Sequence, residues 1–436
     1  MSGRKELTRN TLWNVVNEVS ILVSATLGVL LLIPRLGADD YGSYASLFAL
    51  VGPFAAFAHG GVALTMYEHL VGERAEPRRV IGSCLSIALV VAAVLSPVCI
   101  VLAHVLFDAL DLTTIVLFVS YEFFLQAIIL TVIAATQASL DYGLGMMLRV
   151  VFQGVRISVM LVLAAFGTLT LEHLVYANFV TFAALTTAMV AVAPRLGLGR
   201  VVPRRIERAH VRTSSLYSLG VSGSLVQNDG DKVVLEAAGH RGDTGVYAAG
   251  YRLMMLAMIP LNAFSGSTHW AVLRSAHDET SQSKRAMKFT AISLVYAVPA
   301  AVVMFFAAPI VPHVLGDDFE GTEQVIKWLS PVVVLRGVGI LPLNGLIGLG
   351  RTMARTGLLV GGAVVSMGYY LWLIPGGSWR GAAQATILAE CTLLAASWLV
   401  LLRAQRRADE QHLAANPDAD AEIELAHLTD VQEENF

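Results

Sequence analysis

Apolar residues run through this chain in long stretches, parted by short polar connections, from residue 10 to residue 402. Most stretches are apolar on every side. They lack the apolar/polar alternation of a barrel strand, so helices are predicted. A membrane-crossing helix needs about 20 mostly apolar residues. Twelve stretches qualify: 10–34, 42–66, 80–107, 112–136, 145–167, 172–194, 213–238, 245–268, 288–312, 325–349, 355–375 and 381–402. The expected fold class is an all-α membrane protein. The first stretch follows Arg9 without a small-residue cleavage site and reads as a retained span.

The two halves share a pattern. Asp40-Tyr41-Gly42-Ser43-Tyr44-Ala45 closes the first turn between spans, and Asp243-Thr244-Gly245-Val246-Tyr247-Ala248 closes the turn between spans seven and eight. The common form is Asp-x-Gly-x-Tyr-Ala, offset by 203 residues, and Pro97 and Pro299 keep nearly that offset, at 202. Both turns fall on one side of the membrane, so the halves have the same orientation. The sequence therefore predicts a parallel repeat of two six-helix lobes about an axis along the membrane normal. The expected division is an N-terminal lobe over 1–196, a basic linker over 197–212, a C-terminal lobe over 213–403 and an acidic, disordered tail over 404–436.

Composition agrees and adds an orientation. The chain is 56% hydrophobic and 14% charged, against about 25% charged in average soluble domains. Its mean hydropathy of +0.65 implies surface that meets lipid. With the N-terminus inside, 22 Lys and Arg fall in cytoplasmic segments, six of them between Arg195 and Arg212, and only Arg35, Arg241 and Arg380 fall outside. That bias predicts a multi-pass protein of the cell membrane with both termini cytoplasmic. The linker is also a candidate for anionic lipid headgroups. The tail from Asp409 onward holds nine acidic residues and no Lys or Arg, the pattern of a solvated extension.

The informative residues are charges at membrane depth. An ionised side chain at the bilayer centre costs roughly 2.5–3.5 kcal/mol, whereas a Leu or Ile returns only about 0.3–0.6 kcal/mol. Asp229, Asp231 and Lys232 crowd one span, so they must face protein or water. On a helix Asp229 and Lys232 share a face with Glu236, while Asp231 points elsewhere and needs its own partner. The plain reading is an internal Asp229–Lys232 salt bridge, and the functional one is a polar cavity wall. Other spans contribute Asn14, Asn17 and Glu18, then Glu122, Gln153 and Arg156, then Asn228, Arg252, Arg336 and Glu390. Such a set drawn from both halves predicts a hydrated central pathway.

Several chemistries are not indicated. There is no GxxxxGK[ST], HExxH, CxxC or GxSxG segment, and Cys84, Cys99 and Cys391 lack metal-ligand spacing. No outer loop is long enough for a catalytic domain. Neither an enzyme nor a nucleic-acid partner is expected.

The stretches LIPRLGADDYGSYASLFALV and NDGDKVVLEAAGHRGDTGVYAAGYRL, with Arg9-Asn10-Thr11 ahead of the first span, resemble the polysaccharide-biosynthesis flippases. That family lies within the multidrug/oligosaccharidyl-lipid/polysaccharide exporter superfamily. The resemblance covers about residues 8–403. His59 stands where many members carry a carboxylate. The resemblance implies a transporter that flips a lipid-linked oligosaccharide, carried on a polyprenyl diphosphate, to the outer leaflet by alternating access. It implies Arg156, Lys232, Arg252 and Arg336 as diphosphate contacts, and Asn14, Asn17, Gln153 and Asn228 as sugar contacts. It implies Asp229, Asp231, Glu18, Glu122 and Glu390 as candidates for a coupling proton or Na⁺, with no cofactor. Expected partners are the lipid-linked substrate, membrane lipids and other glycan-assembly proteins. The competing readings are a superfamily exporter of small amphipathic solutes, which would have a net acidic cavity, and a polysaccharide polymerase or ligase.

Overall fold

The structure, a computed structural model, describes Trp13, Val16, Asn17 and residues 19–72, 75–274 and 282–415. Among these residues the elements are all helical, and twelve long helices follow one another. They are α1 (19–36), α2 (38–72), α3 (Pro77–Leu106), α4 (Leu112–Ser139), α5 (Tyr142–Ala165), α6 (Leu171–Val192), α7 (Arg208–Ala237), α8 (Arg241–Arg274), α9 (Gln282–Ala307), α10 (Thr322–Gly348), α11 (352–377) and α12 (379–415). This is the all-α, two-lobe, twelve-span architecture read from the sequence.

Two of the turns between helices are very tight. Between α1 and α2 the chain reverses at Gly37, whose φ of 75° suits glycine. Between α11 and α12 it reverses at Ser378, with φ 47° and ψ −135°. A non-glycine residue there is strained, and the Ser378 hydroxyl donates to Asp243 at the start of α8, which holds the turn in place.

Eight described stretches are long and apolar enough to cross a membrane, and they contain every helix except α7 and α8. Those two carry Asp229, Asp231, Lys232, Glu236 and Arg252. They can be less apolar because protein surrounds much of their surface. Several helices outrun the predicted spans: α7 starts at Arg208, α8 runs to Arg274 and α12 continues to residue 415. Their polar ends stay hydrogen-bonded as helix outside the apolar slab, which hydropathy alone does not register. Within the expected acidic tail, residues 416–436 lie outside the described residues.

Each lobe has its own glue. In the first, Phe118 and Tyr121 of α4, Phe152 of α5 and Phe182 of α6 form a chain of ring contacts at 5.0–5.3 Å. In the second, the buried Tyr370 hydroxyl donates to the Gln227 carbonyl at 2.6 Å, tying α11 to α7. The lobes meet mainly where α2 runs along α7. Ser43 donates to Glu236 at 2.7 Å, Ser46 to the Lys232 carbonyl at 3.0 Å and Ser218 to the Ala56 carbonyl at 3.3 Å. Small and hydroxylated residues let helices approach closely in an apolar medium.

The segment between α6 and α7 is strapped to α3. The Arg204 amide donates to the Gly82 carbonyl at 3.1 Å and to Ser86 Oγ at 2.9 Å, and the Ser86 hydroxyl donates back to the Arg204 carbonyl at 2.6 Å. The Glu207 amide donates to Ser83 Oγ at 3.1 Å, and its carboxylate pairs with Arg79 at 2.5 Å.

Candidate functional site: two adjoining charged cavities

Two cavities adjoin in the middle of the molecule. One, of about 260 Å³, lies between the lobes, walled by α1, α2, α5, α7 and α8. The other, of about 400 Å³, lies among α7, α8, α10, α11 and α12, with Leu64 of α2 at its edge. Leu225, Asn228 and Met255 line both.

The charges at their walls form two classes. The first is paired. Lys232 Nζ is 2.8 Å from Asp229 Oδ1 and 3.3 Å from Asp231 Oδ1, and lies 3.6 Å from the centre of the Tyr251 ring. Arg336 Nε donates to Glu390 at 2.7 Å and its Nη2 to the Tyr251 hydroxyl at 2.8 Å. Tyr251 thus bridges two cations on α7 and α10. Buried ions of this kind need partners, because losing water costs several kcal/mol per ion.

The second class is unpaired. Among the described residues Arg156, Arg252 and Arg355 form no ion pair. Arg156 and Arg252 line the smaller cavity and Arg355 the larger. Arg156 has its guanidinium 6.0 Å from the ring centres of both Phe152 and Phe182. Arg355 has its Nε buried without a hydrogen-bond partner. The two cavity walls together carry five cations and two carboxylates, Asp229 and Glu390.

The sequence-derived residues divide accordingly. Arg156, Asn228, Asp229, Lys232 and Arg252 come together at the smaller cavity, and Asn228, Arg336 and Glu390 at the larger. Asp231 lines neither. It is fully buried and accepts from the Lys232 amide at 2.8 Å, the Tyr247 hydroxyl at 2.6 Å and the Thr386 hydroxyl at 3.3 Å. Glu122 also stands apart, buried in a π-helical turn of α4, where it accepts from Gln126 at 3.0 Å and lies in the field of Arg156. Asn17 and Gln153 line neither cavity, and Asn17 is buried with Oδ1 unpartnered. Asn14 and Glu18 lie outside the described residues.

Sequence reasoning missed Tyr247, Tyr251 and Arg355. The signal for the first was present: Tyr44 and Tyr247 hold the same place in the repeated motif, and Tyr44 lines the smaller cavity. In the sequence Arg355 stands at the very start of the predicted span 355–375, beside a cytoplasmic connection where a cation carries little information. The structure sets it one turn inside α11, against a cavity.

The model of the polysaccharide biosynthesis protein family matches residues 33–324. The chain belongs to that family. Both repeated motifs and the paired charges of α7 fall within the matched segment, whereas Arg336, Arg355 and Glu390 lie beyond it. No curated protein matches the chain. Among solved structures it is similar to an inward-facing multidrug resistance MATE family transporter of the MOP superfamily, at 13% identity and a TM-score of 0.72, covering 88% of this chain and 96% of that one. It is also similar to the lipid II flippase MurJ in an inward closed conformation, at 11% identity and a TM-score of 0.66, covering 89% and 87%. A MOP superfamily transporter from Pyrococcus furiosus matches at 12% identity and a TM-score of 0.60, covering 92% of each chain. At these identities the likeness is one of fold.

Proposed function

We propose that this protein is a flippase. In this reading it moves a lipid-linked oligosaccharide, borne on a polyprenyl diphosphate, from the cytoplasmic to the outer leaflet of the cell membrane. Both termini are cytoplasmic, the lobes are 1–196 and 213–403, and they rock about their shared boundary to expose the cavities alternately.

The observation that carries this is the excess of cations at the cavity walls, three of them unpaired. A diphosphate needs cations with free donors. Lys232 and Arg336 already spend donors on carboxylates, so Arg156 and Arg252 are the readier contacts. A cavity for small organic cations would carry the opposite sign. Asn228, at the junction, is placed to bind sugar hydroxyls. The fold it shares with the lipid II flippase MurJ and membership of a polysaccharide biosynthesis family favour the same substrate class. Glu122, buried beside a cation and away from the cavities, is the better placed of the carboxylates for a coupling proton. Asp231 is already satisfied by protein donors.

The test is translocation in vesicles. Full-length protein is reconstituted with a fluorescent polyprenyl diphosphate-linked sugar, and an impermeant quencher reports the fraction in the outer leaflet. Protein-dependent exchange that collapses in Arg156→Gln/Arg252→Gln is expected. Equal exchange in empty vesicles and in vesicles with protein would overturn the reading.

A further inference from the structure

Among the described residues Arg355 is the cation of the larger cavity that the paired network does not reach. It lies on the face of α11 that also presents Thr352, Thr356 and Leu359 to the larger cavity. Opposite it, α7 offers glycine rather than bulk: a methyl on Gly220 would lie 3.7 Å from Thr356 Oγ1. From Gly220 to Asn228, where the cavities join, is eight residues of helix, roughly 12 Å. Arg355 therefore sits about two turns from the junction, toward the end of α7 that bears the basic linker.

Its surroundings define the chemistry it lacks. Among the described residues no carboxylate pairs with it, and its buried Nε has no acceptor. A buried donor left unmade is costly. The hydroxyls of Thr352 and Thr356 and the amide of Asn262 line the same cavity and can donate to an anion. The other cation there, Arg336, is committed to Glu390. The larger cavity thus holds one uncommitted cation with neutral donors about it and apolar walls beyond.

We propose that Arg355 forms a diphosphate subsite of its own, at which the anionic head of a lipid-borne substrate is first received before it passes the Asn228 junction to Arg156 and Arg252. This rests on the flippase reading for the direction of travel, but the site itself is a matter of binding.

The experiment measures binding of farnesyl diphosphate, inorganic pyrophosphate and farnesol to the full-length protein in detergent at low salt, by thermophoresis. Variants are Arg355→Gln, Arg355→Lys, Arg156→Gln/Arg252→Gln and the exposed control Arg351→Gln, each first checked for a monodisperse, helical protein. Arg355→Gln is expected to weaken farnesyl diphosphate binding by about tenfold or more. Arg355→Lys keeps most of it, and Arg351→Gln and the wild type agree. Comparing the two diphosphates shows whether the anion is preferred on a lipid or free, and either preference supports the subsite. Farnesyl diphosphate binding that is unchanged in Arg355→Gln but lost in Arg156→Gln/Arg252→Gln overturns the subsite and leaves the flippase reading standing. A wild-type protein that binds neither diphosphate, or binds farnesol equally well, overturns both.

Discussion

Gly42 and Gly245 hold the same place in the two Asp-x-Gly-x-Tyr-Ala motifs, and they touch: a methyl on Gly42 would lie 2.8 Å from the Gly245 nitrogen. A methyl on Gly245 would lie 1.8 Å from the Ala38 carbonyl oxygen. The repeat-related turns close on each other backbone to backbone, so the lobe boundary has no room there for a side chain. Gly245→Ala is expected to push α2 and α8 apart, since overpacking costs about 1–3 kcal/mol. Ser43, the next residue, is buried at 1% exposure and reports the gap. In an otherwise cysteine-free chain, Ser43→Cys should label slowly with an impermeant maleimide and several-fold faster once Gly245→Ala is added. Equal labelling would place the closure elsewhere.

Lys232 is expected to act on stability as well as on transport. Removing it leaves Asp229 beside the cavity and Asp231 fully buried without their cation. Breaking one side of such a pair costs about 3–5 kcal/mol. Lys232→Met should lower the unfolding temperature of the detergent-solubilised protein, and Lys232→Met/Asp231→Asn should regain part of the loss. Strictly additive losses would mean that the two residues do not share a network.

Arg156 and Arg252 should behave in the opposite way. Neither holds an ion pair among the described residues, and Arg252 is exposed. Arg156→Gln and Arg252→Gln are expected to leave stability within about 0.5 kcal/mol while each lowers translocation of the diphosphate-linked substrate by tenfold or so. Arg336→Gln, which also strands the buried Glu390, should reduce both. Thermal unfolding and the vesicle assay on the same preparations separate the classes. A large loss of stability in Arg252→Gln would contradict the division.

The strap between the lobes is testable by protease. Ser83 and Ser86 make the hydrogen bonds that hold Arg204 and Glu207 against α3. Arg204, Arg205 and Arg208 are exposed, but their backbone is held down. Ser83→Ala/Ser86→Ala should free that backbone to enter a protease cleft, and limited trypsin digestion should cut there several-fold faster than in the wild type. Cleavage at the wild-type rate would show that the Arg204–Gly82 backbone bond and the Arg79–Glu207 pair suffice.

The candidate site was partly legible in the chain. Asp229, Lys232, Arg336 and Glu390 announce themselves because a charge in an apolar run is costly unless it has company. Which company was not legible. That Arg336 takes Glu390 and that Tyr251 links Arg336 to Lys232 depends on residues 54, 85 and 19 apart in sequence, on four helices, coming side by side. Gln153 and Glu122 looked equivalent to the cavity residues because hydropathy gives depth but not rotation about the helix axis. Arg355 was hidden by its position near a connection, where cations are common and carry little information.

The sequence by itself determined the number of helices, their parallel repeat and the need for a charged interior. Each follows from the length of an apolar run, a pattern repeated at constant offset and the cost of an ion in lipid, and all of these are local. The tertiary structure alone decided which cations are neutralised and which stand open to a cavity, and that the two motif glycines meet. Pairing depends on the azimuth and register of packed helices, and those are set by side chains distant in sequence interlocking at the lobe boundary.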